Sequence, residues 1–219
     1  MSHNLIGFLG CDLYDVILYC GSILQQLEYK VLLVDESESC ALTCCISAPE
    51  EYRRYLFESA WGKKNQEILQ LTCDTCHETS EYHTALMVNG QETDRKSKLV
   101  LTYQGMDFIR GINPEELKEL SKSYDYIFIS MGYEENKELL DLCKNIFLCT
   151  DQQLQHILQL RYVDCIDQSK SYLLFSSSED KRIDANYIQA LSEITFDKDH
   201  ICEFICDEKD QLLKLNCQY

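Results

Sequence analysis

The clearest candidate for chemistry is the turn at Gly10, which joins an apolar run, Leu5 to Gly10, to a stretch with helical spacing that begins near Tyr14. Turns between a strand and a helix hold phosphate groups, because glycines let backbone N–H groups converge on the anion. A nucleotide site of this kind also needs a Lys to neutralise the phosphates and a Ser or Thr to hold Mg²⁺. Gly7 and Gly10 supply glycines, so the neighbouring residues decide whether a phosphate is held.

The residues after Gly10 lack the charge and the hydroxyl group of a phosphate loop. The pattern G-x-x-x-x-G-K-[ST], started at Gly7, puts Asp12 at its second Gly. It puts Leu13 at the Lys and Tyr14 at the Ser or Thr. Leu13 carries no charge, and Asp12 repels a phosphate by at least ~1 kcal/mol in a partly dry site. Tight binding of ATP with Mg²⁺ is therefore disfavoured.

A second group of ligand-type residues lies in the middle of the chain. Cys73, Cys76 and His77 form C-x-x-C-H, a haem c attachment pattern, and His83 adds another zinc-type ligand. Haem attachment requires export, and no signal peptide is visible. A second pair of ligands with matched spacing is missing, so chance proximity among thirteen cysteines is the favoured interpretation. A zinc or redox protein centred on these residues stays open as an alternative.

Catalysis by a cysteine nucleophile would need a histidine base and an acid that orients it. His3, His156 and His200 are the candidate bases. Because none of them lies in a recognisable local pattern, surface or helix histidines are the favoured interpretation.

Apolar runs and helical spacing alternate along most of the chain. The run Tyr124 to Ser130 is apolar on both faces, as central strands of parallel sheets are. Strands are predicted at Leu5–Gly10, Lys30–Asp35, Ile68–Leu71, Thr84–Val88, Lys98–Tyr103, Gly105–Ile109, Tyr124–Ser130, Asn145–Thr150, Ser171–Ser176 and Ile201–Ile205. Helices are predicted at Tyr14–Leu27, Glu50–Asn65, Asn113–Ser121, Lys137–Cys143, Asp151–Leu160, Asp184–Ile194 and Glu208–Asn216. The alternation predicts one α/β domain over residues 1–219, with a predominantly parallel sheet and helices on both faces.

The composition limits the classes of function. The 219 residues carry a formal net charge of −17 and no basic stripe, which argues against nucleic-acid binding. No apolar run approaches the ~20 residues of a membrane span, and the amino terminus lacks a basic region before an apolar core. A cytosolic protein without a transmembrane segment is expected. Thirteen cysteines without a secretory signal favour reduced thiols.

The segment from Gly7 to Asp35 resembles the opening of the MinD and ParA family of deviant Walker ATPases. That family carries G-K-G-G-x-G-K-[ST], followed by a helix and a strand that ends in V-D. Gly7, Gly10 and Gly21 match this pattern, as does the strand Lys30 to Asp35. The resemblance implies a P-loop NTPase fold of the MinD type.

The family's catalytic residues are replaced in this chain. Its two lysines fall on Phe8 and Leu13, and its Thr falls on Tyr14. The run Tyr124 to Ser130 resembles the Walker B strand, with Ser130 where the family has an acidic residue. Two later segments are also similar to the family, Asn145–Gln152 and Phe204–Glu208. Residues 66–97 match nothing in it and are interpreted as an insert.

These replacements are most similar to those of the degenerate TadZ and CpaE proteins, which localise pilus and secretion apparatus. The resemblance therefore implies a pseudo-ATPase with no catalytic residues and no cofactor, whose fold serves partner binding or self-pairing. It implies a cytoplasmic homodimer that acts as a scaffold or localisation factor. A pilus or secretion component would recruit it to the membrane or the cell pole.

Three strand ends keep polar groups that could still bind a ligand: Asp35, Ser130 and Asp151. A helix or loop cap explains Asp35 equally well. The alternative function is an active ATPase that binds ATP or ADP with a rearranged phosphate loop. In that alternative Asp12, Asp15 or Asp35 holds the cation.

Overall fold

Nine β-strands form one sheet in the computed structural model, which describes residues 4–38, 42, 80–84, 99–103, 105–164, 167–177 and 183–205. In chain order these strands are β1 (Asn4–Gly10), β2 (Val31–Asp35), β3 (Ser80–Thr84), β4 (Leu99–Tyr103), β5 (Met106–Arg110), β6 (Tyr126–Ser130), β7 (Asn145–Thr150), β8 (Ser171–Ser177) and β9 (Ile201–Ile205). Over the same residues the α-helices are α1 (Tyr14–Gln26), α2 (Pro114–Leu120), α3 (Lys137–Leu142), α4 (Leu154–Gln159) and α5 (Ala185–Ser192). Single 3₁₀ turns lie at Leu160–Tyr162 and Lys198–His200.

The sheet is predominantly parallel, as the sequence predicts. Its spatial order is β3-β4-β5-β2-β6-β1-β7-β8-β9. The seven strands from β5 to β9 in this order are parallel to one another. The strand β4 pairs antiparallel with both β3 and β5. The chain leaves β1 toward β2 on one side and later returns to β7 on the other. The carboxyl end of β1 is therefore the switch point at which such sheets form ligand sites.

Helices cover both faces of the sheet. On one face, Val16 and Ile17 of α1 share an apolar cluster with strand residues such as Leu33 and Phe108. On the other face, the buried helix residues are Leu117, Leu120, Leu139, Leu140, Ile157 and Ile188. Full burial of each such side chain contributes roughly 1.5–3 kcal/mol. The two clusters explain why the central strands are apolar on both faces.

The helix predicted from Asn113 forms as α2, with Asn113 as its cap. The Asn113 side chain accepts hydrogen bonds from the backbone N–H groups of Glu115 and Glu116, at 3.1 and 2.8 Å. In return, the Glu116 carboxylate accepts one from the Asn113 backbone at 3.0 Å. Pro114 occupies the first helical position, where no N–H is required.

Some predicted boundaries differ from the structure. The helix predicted from Asp151 begins at Leu154, which is 54% exposed. The strand predicted at Thr84–Val88 overlaps β3 at Thr84 alone, and residues 85–88 lie outside the described part. The β3 sequence, Ser-Glu-Tyr-His-Thr, contains no apolar run, so no sequence signal indicated this strand.

Other predictions fall on residues that the structure does not describe. They are the helices at 50–65 and 208–216, the strand at 68–71 and most of the insert at 66–97. Within the described ranges, none of the helices has both the length and the apolar character needed to cross a bilayer.

Candidate functional site

The bend after β1 is closed by backbone hydrogen bonds to the two neighbouring strand ends. The Gly10 N–H donates to the Gly132 carbonyl at 2.5 Å, on the β6 side. The Cys11 N–H donates to the Cys149 carbonyl at 2.9 Å, on the β7 side. Gly10 has φ +114°, and a Cβ added there would stand 2.3 Å from the Cys149 oxygen. Glycine is therefore required at this bend, because only a residue without a Cβ lets the backbone come this close to β7.

Two positions that align with phosphate-binding lysines belong to the apolar core. Phe8 lies within β1, is 6% exposed, stacks on Phe147 at 5.4 Å and meets Phe128 edge-on at 5.5 Å, measured between ring centroids. Leu13 precedes α1 and is also 6% exposed, in the same apolar cluster as α1. Their side chains contribute packing and no charge. Gly7 is likewise a strand residue, so only residues 11–13 connect β1 to α1.

Asp35 and Ser130 end the neighbouring strands β2 and β6, where they are paired in register. Both side chains are buried, with 2% and 4% exposure. The Asp35 carboxylate accepts hydrogen bonds from the Ser37 backbone N–H at 3.1 Å and from the Ser37 hydroxyl at 2.6 Å. This geometry corresponds to the loop cap that the sequence analysis left open for Asp35.

Asp151, one residue beyond β7, contacts Cys11, which is 140 residues away in the chain, and His156, which is five residues further on. Its Oδ2 accepts a hydrogen bond from the Cys11 thiol at 3.8 Å, and its Oδ1 pairs with His156 Nδ1 at 2.8 Å. Gln153 holds the same carboxylate, with its backbone N–H at 2.8 Å from Oδ1 and its Nε2 at 3.1 Å from Oδ2. The result is a half-buried cluster of a thiol, a carboxylate and an imidazole.

The electrostatic environment of this cluster is negative. Burial, then the carboxylates of Asp151, Asp12 and Asp15, raise the pKa of the Cys11 thiol from 9.0 to about 12. The pKa of the Tyr133 phenol is raised by burial and by the same neighbourhood, including Cys11 and Asp151. An anion approaching this edge would meet carboxylates, whereas a cation would be attracted.

The structure brings together only part of the predicted site. Asp151 is a member of the cluster, and Asp12 contributes charge to it. Cys73, Cys76 and His77 lie outside the described residues, as does the side chain of His83.

Sequence reasoning missed Cys11 and the pairing of His156 with Asp151. His156 entered only as a candidate base for a cysteine nucleophile. The available signal was that Cys11 follows β1 and Asp151 follows β7, both at carboxyl ends. It becomes informative once these two strands are known to be neighbours.

No family model matches this sequence, and no curated protein matches it. Solved structures do match. A ParA family ATPase from Chlorobium tepidum matches with a TM-score of 0.56 and 14% identity, over 99% of this chain and 90% of that one. The cell division protein MinD of Aquifex aeolicus matches with a TM-score of 0.50 and 14% identity, over 96% and 84%. A protein of Corynebacterium diphtheriae matches with a TM-score of 0.51 and 12% identity, over 97% and 95%. Identities this low establish the architecture alone, and the chain has a fold of the MinD/ParA type.

Proposed function

We propose that this chain is a pseudo-ATPase, a MinD/ParA-type protein that keeps the fold without nucleotide chemistry. One observation carries the proposal. The amides of Gly10 and Cys11, at the bend where a phosphate would lie, donate to the carbonyls of Gly132 and Cys149. Backbone donors committed to strand ends are not available to an anion unless the bend opens.

The side chains around the bend support the same conclusion. Phe8 and Leu13 fill the core where the family's lysines would neutralise phosphates. Ser130, at the acidic position of the Walker B strand, has no formal charge with which to hold Mg²⁺. The carboxylates of Asp12 and Asp151 near Cys11 repel a triphosphate. Each change removes attraction for Mg·ATP, and together they disfavour both binding and turnover.

Isothermal titration with ATP and ADP, with and without Mg²⁺, tests this proposal. We expect no binding tighter than about 10 μM and no phosphate release above background. Tight binding together with turnover would overturn the pseudo-ATPase proposal in favour of the rearranged-loop ATPase. A Leu13→Lys variant is the matched check. We expect it to lower stability without creating nucleotide affinity, because the side chain enters an apolar cluster.

The proposed role of the retained fold is that of a dimeric scaffold or localisation factor. An apolar stripe on the outer face of α1 and its C-cap supports protein binding. Tyr19, Ile23 and the capping residue Leu27 follow each other at helical spacing and are 49%, 41% and 62% exposed. Light scattering should give the mass of a dimer for the wild-type protein. The Ile23→Glu variant should have a lower mass, toward that of the monomer. Leu154→Glu, at an equally exposed residue on the opposite face, is the control. A monomer in both the wild-type protein and the control would contradict self-pairing.

The proposed partner is a pilus or secretion component that recruits the protein to the membrane or the cell pole. Genes of such a system beside this one, and a polar focus of a fluorescent fusion that depends on them, would support this role. A focus that persists after their deletion would contradict it.

A further inference from the structure

We propose that Cys11, Asp151 and His156 form a binding site for a zinc-class divalent cation at the carboxyl edge of the sheet. This inference goes beyond the pseudo-ATPase function and does not depend on it. Each residue offers one ligand atom, and these three atoms all lie within 4.8 Å of one another. Chain segments about 140 residues apart contribute them, so the tertiary fold assembles the group.

The separations are close to those of a bound ion. Zinc lies about 2.0–2.3 Å from its ligands, which puts tetrahedral donor atoms roughly 3.3–3.8 Å apart. The sulfur of Cys11 is 3.8 Å from Asp151 Oδ2, and His156 Nδ1 is 2.8 Å from Asp151 Oδ1. A small outward shift of the imidazole, of about 0.5 Å, would admit the ion between these groups.

The carboxylate is held by neighbouring groups, as metal ligands usually are. The backbone N–H and the side-chain Nε2 of Gln153 both donate to Asp151. Such outer contacts fix the orientation of a ligand and raise metal affinity. Asp12 and Asp15 add further negative charge near Cys11, and this charge favours a cation.

The donor set selects the class of cation. Sulfur and imidazole nitrogen suit Zn²⁺ and Co²⁺, whereas Mg²⁺ and Ca²⁺ prefer sites made entirely of oxygen. Three protein ligands leave a fourth tetrahedral position for water or for a ligand from a partner. The ring of Tyr133 lies near the cluster, with its centroid 6.4 Å from that of the His156 ring. A site with three protein ligands and one exchangeable position is of the open kind.

Cobalt titration of the full chain, reduced and freed of metal, tests the proposal. Co²⁺ bound to a thiolate gives a charge-transfer band in the near ultraviolet and, in tetrahedral sites, intense visible bands. We expect one equivalent with a Kd tighter than about 10 μM, displaced by Zn²⁺ and not by Mg²⁺. Cys11→Ser should abolish the thiolate band. His156→Gln and Asp151→Asn should weaken binding by on the order of 100-fold or more, since loss of an outer-shell partner alone costs roughly 10- to 100-fold.

Two control variants separate this site from other thiols. Cys20→Ser changes a half-buried cysteine on α1 that is not part of the cluster, and it should leave the band unchanged. Cys73→Ser with Cys76→Ser removes the other zinc-type pair and should also leave it unchanged. Circular dichroism of each variant verifies that it folds. Absence of a band in the folded wild-type protein, or a band that survives Cys11→Ser and disappears with the Cys73/Cys76 variant, would overturn the proposal.

Discussion

Asp35 and Asp151 both lie at the carboxyl edge of the sheet, yet their surroundings differ. Asp35 is 2% exposed and bonds to Ser37, two residues away. Asp151 is half-buried and bonds to Cys11, 140 residues away, and to His156. The first carboxylate shapes its own loop, whereas the second links three elements of the fold.

This difference shows how the fold and its chemistry can separate. The β2 end near Asp35 combines an apolar strand with a buried acid, and both serve folding. The ends of β1 and β7 instead carry an acidic cluster whose charge suits a cation. Apolar packing holds the sheet together, whereas the charges at its edge decide which ligand can approach.

Substitution of Gly10, next to Cys11, and of Gly111, which bonds to the Asp35 backbone, should give the largest contrast. Gly10→Ala adds a Cβ at 2.3 Å from the Cys149 oxygen at φ +114°, so we expect a loss of roughly 2–5 kcal/mol in the free energy of unfolding. Gly111, whose N–H donates to the Asp35 carbonyl, has φ +68° and open space around its added Cβ. Gly111→Ala should cost about 1–2 kcal/mol. If urea denaturation gave equal losses of unfolding free energy for the two variants, the close approach of Gly10 to β7 would not be what requires glycine there.

Removal of the buried Asp35 carboxylate should have the next largest effect on stability. Asp35→Ala leaves the Ser37 N–H and hydroxyl without this acceptor in a buried position, and we expect a loss of roughly 2–4 kcal/mol. Ser37→Ala, which removes one of the two bonds, should cost about 1 kcal/mol. If Asp35→Ala instead stabilised the protein, as removal of strained functional acids does, Asp35 would be a binding residue rather than a cap.

Zinc should stabilise the folded protein through Asp151 and not through Asp35. At a free concentration of 100 times Kd, a site present only in the folded state adds about 2.7 kcal/mol to the free energy of unfolding. Thermal unfolding with Zn²⁺ and after chelation should show this gain in wild-type and Asp35→Asn proteins, and not in Asp151→Asn. A zinc effect that is equal in both variants would remove Asp151 from the site.

The smallest effect should be that of Asp151→Asn without metal. Its side chain is about a quarter exposed, and Asn can still accept the hydrogen bond from the Gln153 backbone. We expect a change of about 0.5 kcal/mol or less in urea denaturation. A loss as large as that of Asp35→Ala would mean that Asp151 is structural, and the contrast between the two acids would disappear.

Local sequence features predicted most of the fold. Apolar runs located the central strands, and the helix predicted from Asn113 begins at Pro114 as α2. The end of β2 at Asp35 was also predicted, because its pattern of apolar residues is continuous. These features depend on neighbours in the chain, which a sequence displays directly.

The cluster could not be predicted in the same way, because it depends on which strands are neighbours. Cys11 meets Asp151 only because β1 lies beside β7. Long-range pairing, rather than residue type, carries the site.

A crystal structure of the protein grown with both ZnCl₂ and ATP tests the central claim most directly. We predict an anomalous zinc peak among Cys11, Asp151 and His156, with the amides of Gly10 and Cys11 still bonded to β6 and β7. We predict no triphosphate density at residues 10–14. A triphosphate held by an opened bend, with no metal peak among these three side chains, would contradict the account.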